Sequence, residues 1–235
     1  MPAGRRIISL VPSSTETLLG LGGDVIACTK FCEQPGIAHV GGTKNPDIQA
    51  IIDLAPDVVV LDREENRRPD AEALEAAGIE LFVSDVTDVA SAMIVVAELS
   101  ALVGGPTVIE VDRPRHVEPL GLSVFVPIWR RPWMSISAAT YGGSLLAHLG
   151  WRMVTNGAPT AYPEVELADL EAPDVVAVPS EPYEFTDDHL DELRVAFPTS
   201  VVVRIDGQDL FWWGSRTPGA IIRLGEALCD VVGAS

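Results

Sequence analysis

NPDIQAIIDLAPDVVVLDRE, residues 45–64, has a counterpart in the same chain: YPEVELADLEAPDVVAVPSE, residues 162–181. Laid over one another without gaps, 117 residues apart in a chain of 235, the two stretches agree at seven of twenty positions. Pro46 pairs with Pro163, Ala55 with Ala172, the tetrapeptide 56–59 with 173–176, and Glu64 with Glu181. A period of about 20–50 residues signals a solenoid, whereas one near half the chain signals two similar lobes. Two lobes enclose a cleft, and a cleft is where a small ligand usually sits.

Each PDVV run is a short apolar segment bounded by proline and polar residues, the pattern of a buried strand. Outward from it, strands and helices alternate. Arg6–Val11 reads as a strand, and Ser13, Ser14 and Thr15 offer caps for the helix that follows, with Glu16 completing a capping box if Ser13 is the cap. A helix start in that place either presents N–H groups to a ligand or is simply a capped helix. Further strands are predicted at Val25–Thr29, Val58–Leu61 and Glu80–Val83. Helices are predicted at Asp47–Leu54, at Pro69–Ala77 closed by Gly78, and at Val86–Val103 closed by Gly104.

The second half replays this order. Strand Ser123–Ile128, helix Ala138–Leu149, strand Val175–Val178, helix Asp187–Phe197 and strand Val201–Ile205 lead to a closing helix over Thr217–Val232. Such alternation predicts parallel pairing with right-handed crossovers. The fold class is therefore α/β, with two Rossmann-like lobes, parallel sheets flanked by helices, and a ligand cleft between them. Residues 1–104 form an N-terminal lobe, 105–121 a connector broken by three prolines, and 122–235 a C-terminal lobe.

A content of 47% hydrophobic and 21% charged residues is that of a folded chain with a sizeable core. The net charge of −18 argues against nucleic acid, whose phosphates need clustered Lys and Arg; it favours a cationic ligand or serves solubility alone. No stretch reaches the roughly 18 apolar residues of a membrane span. The start, MPAGRRIISLV, lacks the apolar core and cleavage site of a signal peptide, so the sequence as it stands reads as cytoplasmic. Removal of a leader upstream would place it in the periplasm or outside the cell. Cys28, Cys32 and Cys229 are an odd set without paired spacing, which speaks against a disulfide framework. The four histidines are isolated, so no zinc site is expected.

Ligands of such sheets bind beyond the carboxyl ends of the strands. The residues there are Ser13, Ser14 and Thr15, then Phe31, Thr43, Arg63 and Glu64 in the first lobe, and Trp129, Trp133, Glu181, Tyr183, Trp212 and Trp213 in the second. Four of the five tryptophans fall in these loops, where they line a pocket or pack the lobes. Glu64 and Glu181, each following a PDVV strand, place a carboxylate on either side of the cleft. They serve as general acid and base or as ligands to a hard metal in one reading; in the more ordinary one, Glu64 with the adjacent Arg63, Glu65, Asn66 and Arg67 is a solvated charge run. Neither a nucleophile with a base partner nor a phosphate-binding glycine motif is present, so neither catalytic nor metal residues are assigned.

ISLVPSSTETLLGLG, a Cys shortly before a Pro, GGTKNPDIQAIIDLAPDVVV and EALEAAGIELFVSD resemble the first lobe of the class III periplasmic binding proteins, the helical-backbone metal-receptor superfamily. PIWRRPWMSISAATYGGSLLAHLGW, YPEVELADLEAPDVVAVPSEPY and DGQDLFWWG are similar to the second lobe, so the resemblance spans essentially the whole chain. It implies a non-catalytic importer-type binding protein of the cobalamin- or ferric-siderophore-binding kind, in a branch without a leader. The ligand is cobalamin, haem or a ferric siderophore, with no covalently bound cofactor. A corrin ring would lie flat between the lobes, against positions near Thr43, Arg63, Trp129 and Trp212. The family's docking carboxylates, which meet arginines of an ABC permease, match Asp47 and, less closely, Glu164, since the matching second position is Ala168. The family's long interlobe helix corresponds either to Val86–Val103 or to nothing. Two further readings are a cytosolic enzyme using Glu64 and Glu181, and an interaction module without a small ligand.

Overall fold

A computed structural model describes residues 4–105 and 121–233; the predicted connector therefore lies outside the described residues except at its two ends. The described chain forms two compact units, one built from residues up to 86, 90–105 and 213–216, the other from 87–89, 121–212 and 217–233. In chain order the first half carries β1 (Arg6–Ser9), α1 (Pro12–Gly20), β2 (Asp24–Cys28), β3 (Ala38–His39), β4 (Gly41–Gly42), β5 (Asn45–Pro46), α2 (Ile48–Leu54), β6 (Val58–Asp62), α3 (Arg68–Ala76), β7 (Glu80–Ser84) and α4 (Val89–Leu102). The second half carries β8 (Ser123–Phe125), β9 (Pro127–Trp129), β10 (Trp133–Ser135), α5 (Tyr141–His148), β11 (Arg152–Met153), β12 (Glu164–Val165), β13 (Val175–Pro179), α6 (Asp187–Ala196), β14 (Val201–Ile205), α7 (Gly207–Phe211) and α8 (Thr217–Gly233).

In the first unit the sheet order is β3-β2-β1-β6-β7, and in the second β11-β8-β13-β14. All pairings in both sheets are parallel. The central strands β6 and β13 are the two PDVV runs, and they begin and end at positions 117 residues apart. Both strands are buried along their whole length, as a strand covered on both faces must be. The repeated aspartate has a structural job. The backbone N–H of Arg6 donates to Asp57 Oδ2 at 2.7 Å, and that of Ser123, also 117 residues on, donates to Asp174 Oδ2 at 2.7 Å. Each carboxylate thus satisfies the first donor of the neighbouring strand, which would otherwise be an orphan at the sheet's end.

Apolar layers close each sheet. Ile8, Leu10, Val59 and Leu61 of the first sheet pack with Ile51 and Leu74 of α2 and α3. Phe125, Val176 and Val178 of the second pack with Leu190, Leu193 and Phe197 around α6.

Several expectations are corrected. The capping box on Ser13 does not form: Pro12 takes the first helical position, where its fixed φ and missing N–H cost nothing, so Val11 is the cap and Ser13 lies inside α1. Strand Ser123–Ile128 divides, because Pro127 has no N–H to give to a ladder and starts a new strand. That strand, β9, joins β10 and β12 in a separate antiparallel sheet. Helix α5 begins at Tyr141 rather than Ala138, since Thr140 Oγ1 accepts from the N–H of Gly143 and caps it there. Residues 207–211, expected in a loop, form α7, capped by Asp206.

Candidate ligand-binding site

At the end of β6 the chain turns on a buried carboxylate. Asp62, 4% exposed, accepts the N–H of Glu64 at 2.9 Å on Oδ1 and the hydroxyl of Ser84 at 2.7 Å on Oδ2. Burial pushes its pKa up, against the pull of these donors. Asn66 completes the turn: its Oδ1 accepts from the Asp62 N–H, and its Nδ2 donates to the carbonyls of Leu10 and Thr43. Three strand-end loops are thereby tied to one amide. Arg63, Glu65, Asn66 and Arg67 around Glu64 have a solvated charge run as their more ordinary reading. Asn66 is nonetheless buried, because each polar atom of its amide finds a partner.

Of the expected site residues in this unit, Ser13, Ser14, Thr15 and Thr43 are buried. Phe31 is 52% exposed, with the Lys30 ammonium 5.0 Å from its ring centre. Arg63 and Glu64 are exposed. Arg63 pairs with Asp85 at 2.8 Å, while the Glu64 carbonyl accepts from Lys44 Nζ. A cavity of ≈ 470 Å³ opens between β6, β7 and α3, with Arg63 and Asn66 at its polar side and Leu61, Ala71 and Val83 at its apolar side. Trp213 belongs to this unit and is buried, so it offers no open face.

The second unit concentrates its rings. Trp129 at the end of β9 is 46% exposed and meets Tyr183 edge-on, ring centres 5.0 Å apart. Tyr183 leans on the buried Phe185 at 4.8 Å, and Phe185 stacks parallel on Trp133 at 6.0 Å. The Arg130 guanidinium lies over the Trp133 ring, 5.8 Å from its centre, and Glu192 holds it at 2.8 Å. His189 joins the cluster, 5.8 Å from Tyr183, while its Nδ1 accepts the N–H of Thr186 and caps α6. Trp129 is thus the outer ring, leaning on Tyr183, with Phe185 behind Tyr183 and Trp133 behind Phe185. Hairpin β9–β10 places Trp129 across from Met134, so Trp129 and Trp133 stand on two paired strands rather than in one loop.

Glu181, the counterpart of Glu64, is held differently. Its Oε1 accepts from Trp212 Nε1 at 2.7 Å. Ser180 Oγ accepts the N–H of Gly207, and a β-carbon at Gly207 would stand 2.6 Å from the Glu181 nitrogen, so only glycine lets α7 start this close. Trp212 is half-buried and is the fourth ring of the site residues in this unit.

The remaining expected residues lie on surfaces. Asp47 is the N-cap of α2, accepting from Ala50 at 3.0 Å, and is exposed; Glu164 lies exposed on β12. Among the described residues no three His, Cys, Asp or Glu side chains gather into a metal site. No helix there is long and apolar enough to cross a membrane. Phe185, His189 and Asn66 were not foreseen as site residues. Phe185 alone left a trace, the alternation of rings in EPYEF.

No family model matches the chain. A vitamin B12-binding protein of Yersinia pestis (strain Pestoides F) is 24% identical over 247 aligned positions, covering 97% of this chain and 86% of that protein. Among solved structures, the periplasmic vitamin B12 binding protein BtuF of Vibrio cholerae superposes with TM-score 0.77 at 16% identity, over 97% of this chain and 98% of that one. The periplasmic heme-binding protein BhuT in complex with two hemes gives 0.76 at 19% identity, over 97% and 99%. The periplasmic heme binding protein HutB of Vibrio cholerae gives 0.78 at 17%, over 95% and 98%. The resemblance read from the motifs is therefore carried by sequence and by fold along nearly the whole chain: this protein has the α/β fold of the periplasmic substrate-binding proteins.

Proposed function

We propose that the protein is a non-catalytic binding protein for a flat metal chelate, a corrinoid or a haem, which rests on the aromatic face of the second unit. The observation that carries this reading is the exposed ring of Trp129 set edge-on against the half-buried Tyr183, which is braced in turn by Phe185 and, through it, by Trp133. Rings already held in place contribute broad contact with little further loss of rotamer freedom. Named vitamin B12- and heme-binding proteins share the fold, which points to the same class of ligand.

Glu181 acts here through Trp212, holding that ring by its indole N–H, and not as an acid or base. Asp47 and Glu164, exposed on separate elements, are the carboxylates offered to an ABC permease, and substituting both by Ala leaves ligand affinity unchanged while weakening any permease contact. The direct test is titration of intrinsic tryptophan fluorescence with cyanocobalamin and with hemin. Saturable quenching is expected, weakened roughly tenfold or more in Trp129→Ala, the scale of a lost aromatic anchor. Absence of saturation with both ligands would sink the reading.

A further inference from the structure

Helix α6 opens on a cap that only one protonation state can make. In the capping box the third helical position is Glu or Gln, and its side chain accepts the N–H of the capping residue. Here Thr186 is the cap and the third helical position is the half-buried His189. The backbone N–H of His189 donates to the Thr186 carbonyl at 3.1 Å, and the Thr186 N–H donates back to His189 Nδ1 at 3.1 Å. The second bond fixes the tautomer: Nδ1 offers its lone pair, so the ring proton is on Nε2.

The same imidazole belongs to the aromatic cluster. Its centre lies 5.8 Å from that of Tyr183 and 6.0 Å from that of Phe185, which it meets edge-on. Tyr183, Phe185 and Thr186 share one short segment, so the bond to Thr186 ties the backbone that carries both rings to the helix behind them. Arg204 of β14 holds that segment at a second point, donating to the Phe185 carbonyl at 2.8 Å.

A Gln side chain in this place would accept at any pH, whereas an imidazole accepts only while neutral, and histidine is the side chain whose charge ordinarily changes between about pH 5 and 8. Protonation puts a hydrogen on Nδ1, so two donors face each other and the bond is lost. The new charge also sits at the start of a helix, where the macrodipole disfavours a cation. Carboxylates on the packed elements pull the other way: Asp187, Asp188 and Glu192 on α6, and Glu184 beside Tyr183 on the segment before it. Two of them are already engaged, Asp187 by Arg204 at 2.9 Å and Glu192 by Arg130, from the turn between β9 and β10, at 2.8 Å. Resting on the proposed ligand role of the aromatic face, we propose that His189 is a positioning residue for that face and a pH switch upon it. Neutral, it holds the Tyr183–Thr186 segment in place for the ligand; protonated, it lets the segment go and the ligand is released. A face that is competent for only a fraction of the time binds more weakly by that fraction.

The full chain is titrated with cyanocobalamin and with hemin at about pH 8 and about pH 5.5, on either side of the histidine range, with tryptophan fluorescence as the signal. His189→Asn is run beside it: its Oδ1 stands where Nδ1 does, accepts the Thr186 N–H and takes up no proton. Affinity in the unaltered chain is expected to fall about threefold to tenfold at the lower pH beyond any fall in His189→Asn, which cancels the titration of the probes themselves. A second arm needs no ligand. In isotope-labelled protein the NMR shift of the Thr186 amide proton should follow one imidazole titration in the unaltered chain and none in His189→Asn. If circular dichroism shows that His189→Asn is not folded, His189→Gln replaces it. Equal weakening in acid for both chains, or a Thr186 amide that does not titrate, would overturn the proposal. A titrating amide with no saturation by either probe at either pH removes the ligand role of the face, and the release with it.

Discussion

Strands β6 and β13 are copies, yet their ends are built on different physics. In the first unit the position after the apolar run is Asp62, and the loop closes on it by hydrogen bonds from Glu64, Ser84 and, through Asn66, the neighbouring loops. In the second the same position is Pro179, which can neither accept at a side chain nor donate from its nitrogen, and the loop is instead held by close approach to Gly207 and by the Glu181–Trp212 bond. One end is a polar knot; the other carries Tyr183 and Phe185 into a cluster of rings. The two copies share the scaffold, and the one with Pro179 in place of the aspartate carries the aromatic face.

That contrast can be broken from either side. The largest effect is expected in Gly207→Val, which forces a branched side chain against the Glu181 backbone. Overpacking of this kind costs about 2–3 kcal/mol, and urea unfolding followed by tryptophan fluorescence should show it together with a shifted Trp212 signal. Asp62→Ala should follow at about 2 kcal/mol, because buried N–H and hydroxyl donors lose their acceptor; leaving the urea midpoint in place would show that the knot is not what holds this loop.

Asp174→Asn probes what the copies share and should cost under about 1 kcal/mol at neutral pH, the worth of a solvated hydrogen bond. The Ser123 N–H and hydroxyl hold the Asp174 pKa below its ordinary value. A depressed carboxylate stabilises the fold above the unfolded value of about 3.9 and loses that contribution as pH falls through the folded value. The gap between wild type and Asp174→Asn should therefore narrow below about pH 4, and a gap that widens there would contradict the assignment. Smallest of all, Arg63→Ala removes an ion pair whose side chains are 75% and 53% exposed, and a change within about 0.5 kcal/mol is expected in the same unfolding assay.

Much of the scaffold was legible. β14 spans the predicted Val201–Ile205, and Asp47 caps the helix expected after Pro46, because apolar runs and caps act over a few residues. The misreadings occur where a distant partner decides. Asn66 looks solvated in its run of charges until Leu10 and Thr43 supply carbonyls from far along the chain. Trp129 and Trp133 read as one loop until β10 folds back on β9, and Trp212 and Trp213, adjacent in sequence, belong to different units.

The sequence by itself determined the α/β class, the duplication and the paired strands at its centre, since burial on both faces demands an unbroken apolar run and the repeat displays it twice. Only the tertiary structure decided which side chains at the strand ends face solvent, which knot together and which back another ring. Those outcomes depend on hydrogen bonds and ring contacts between residues far apart in the chain, and no local pattern records them.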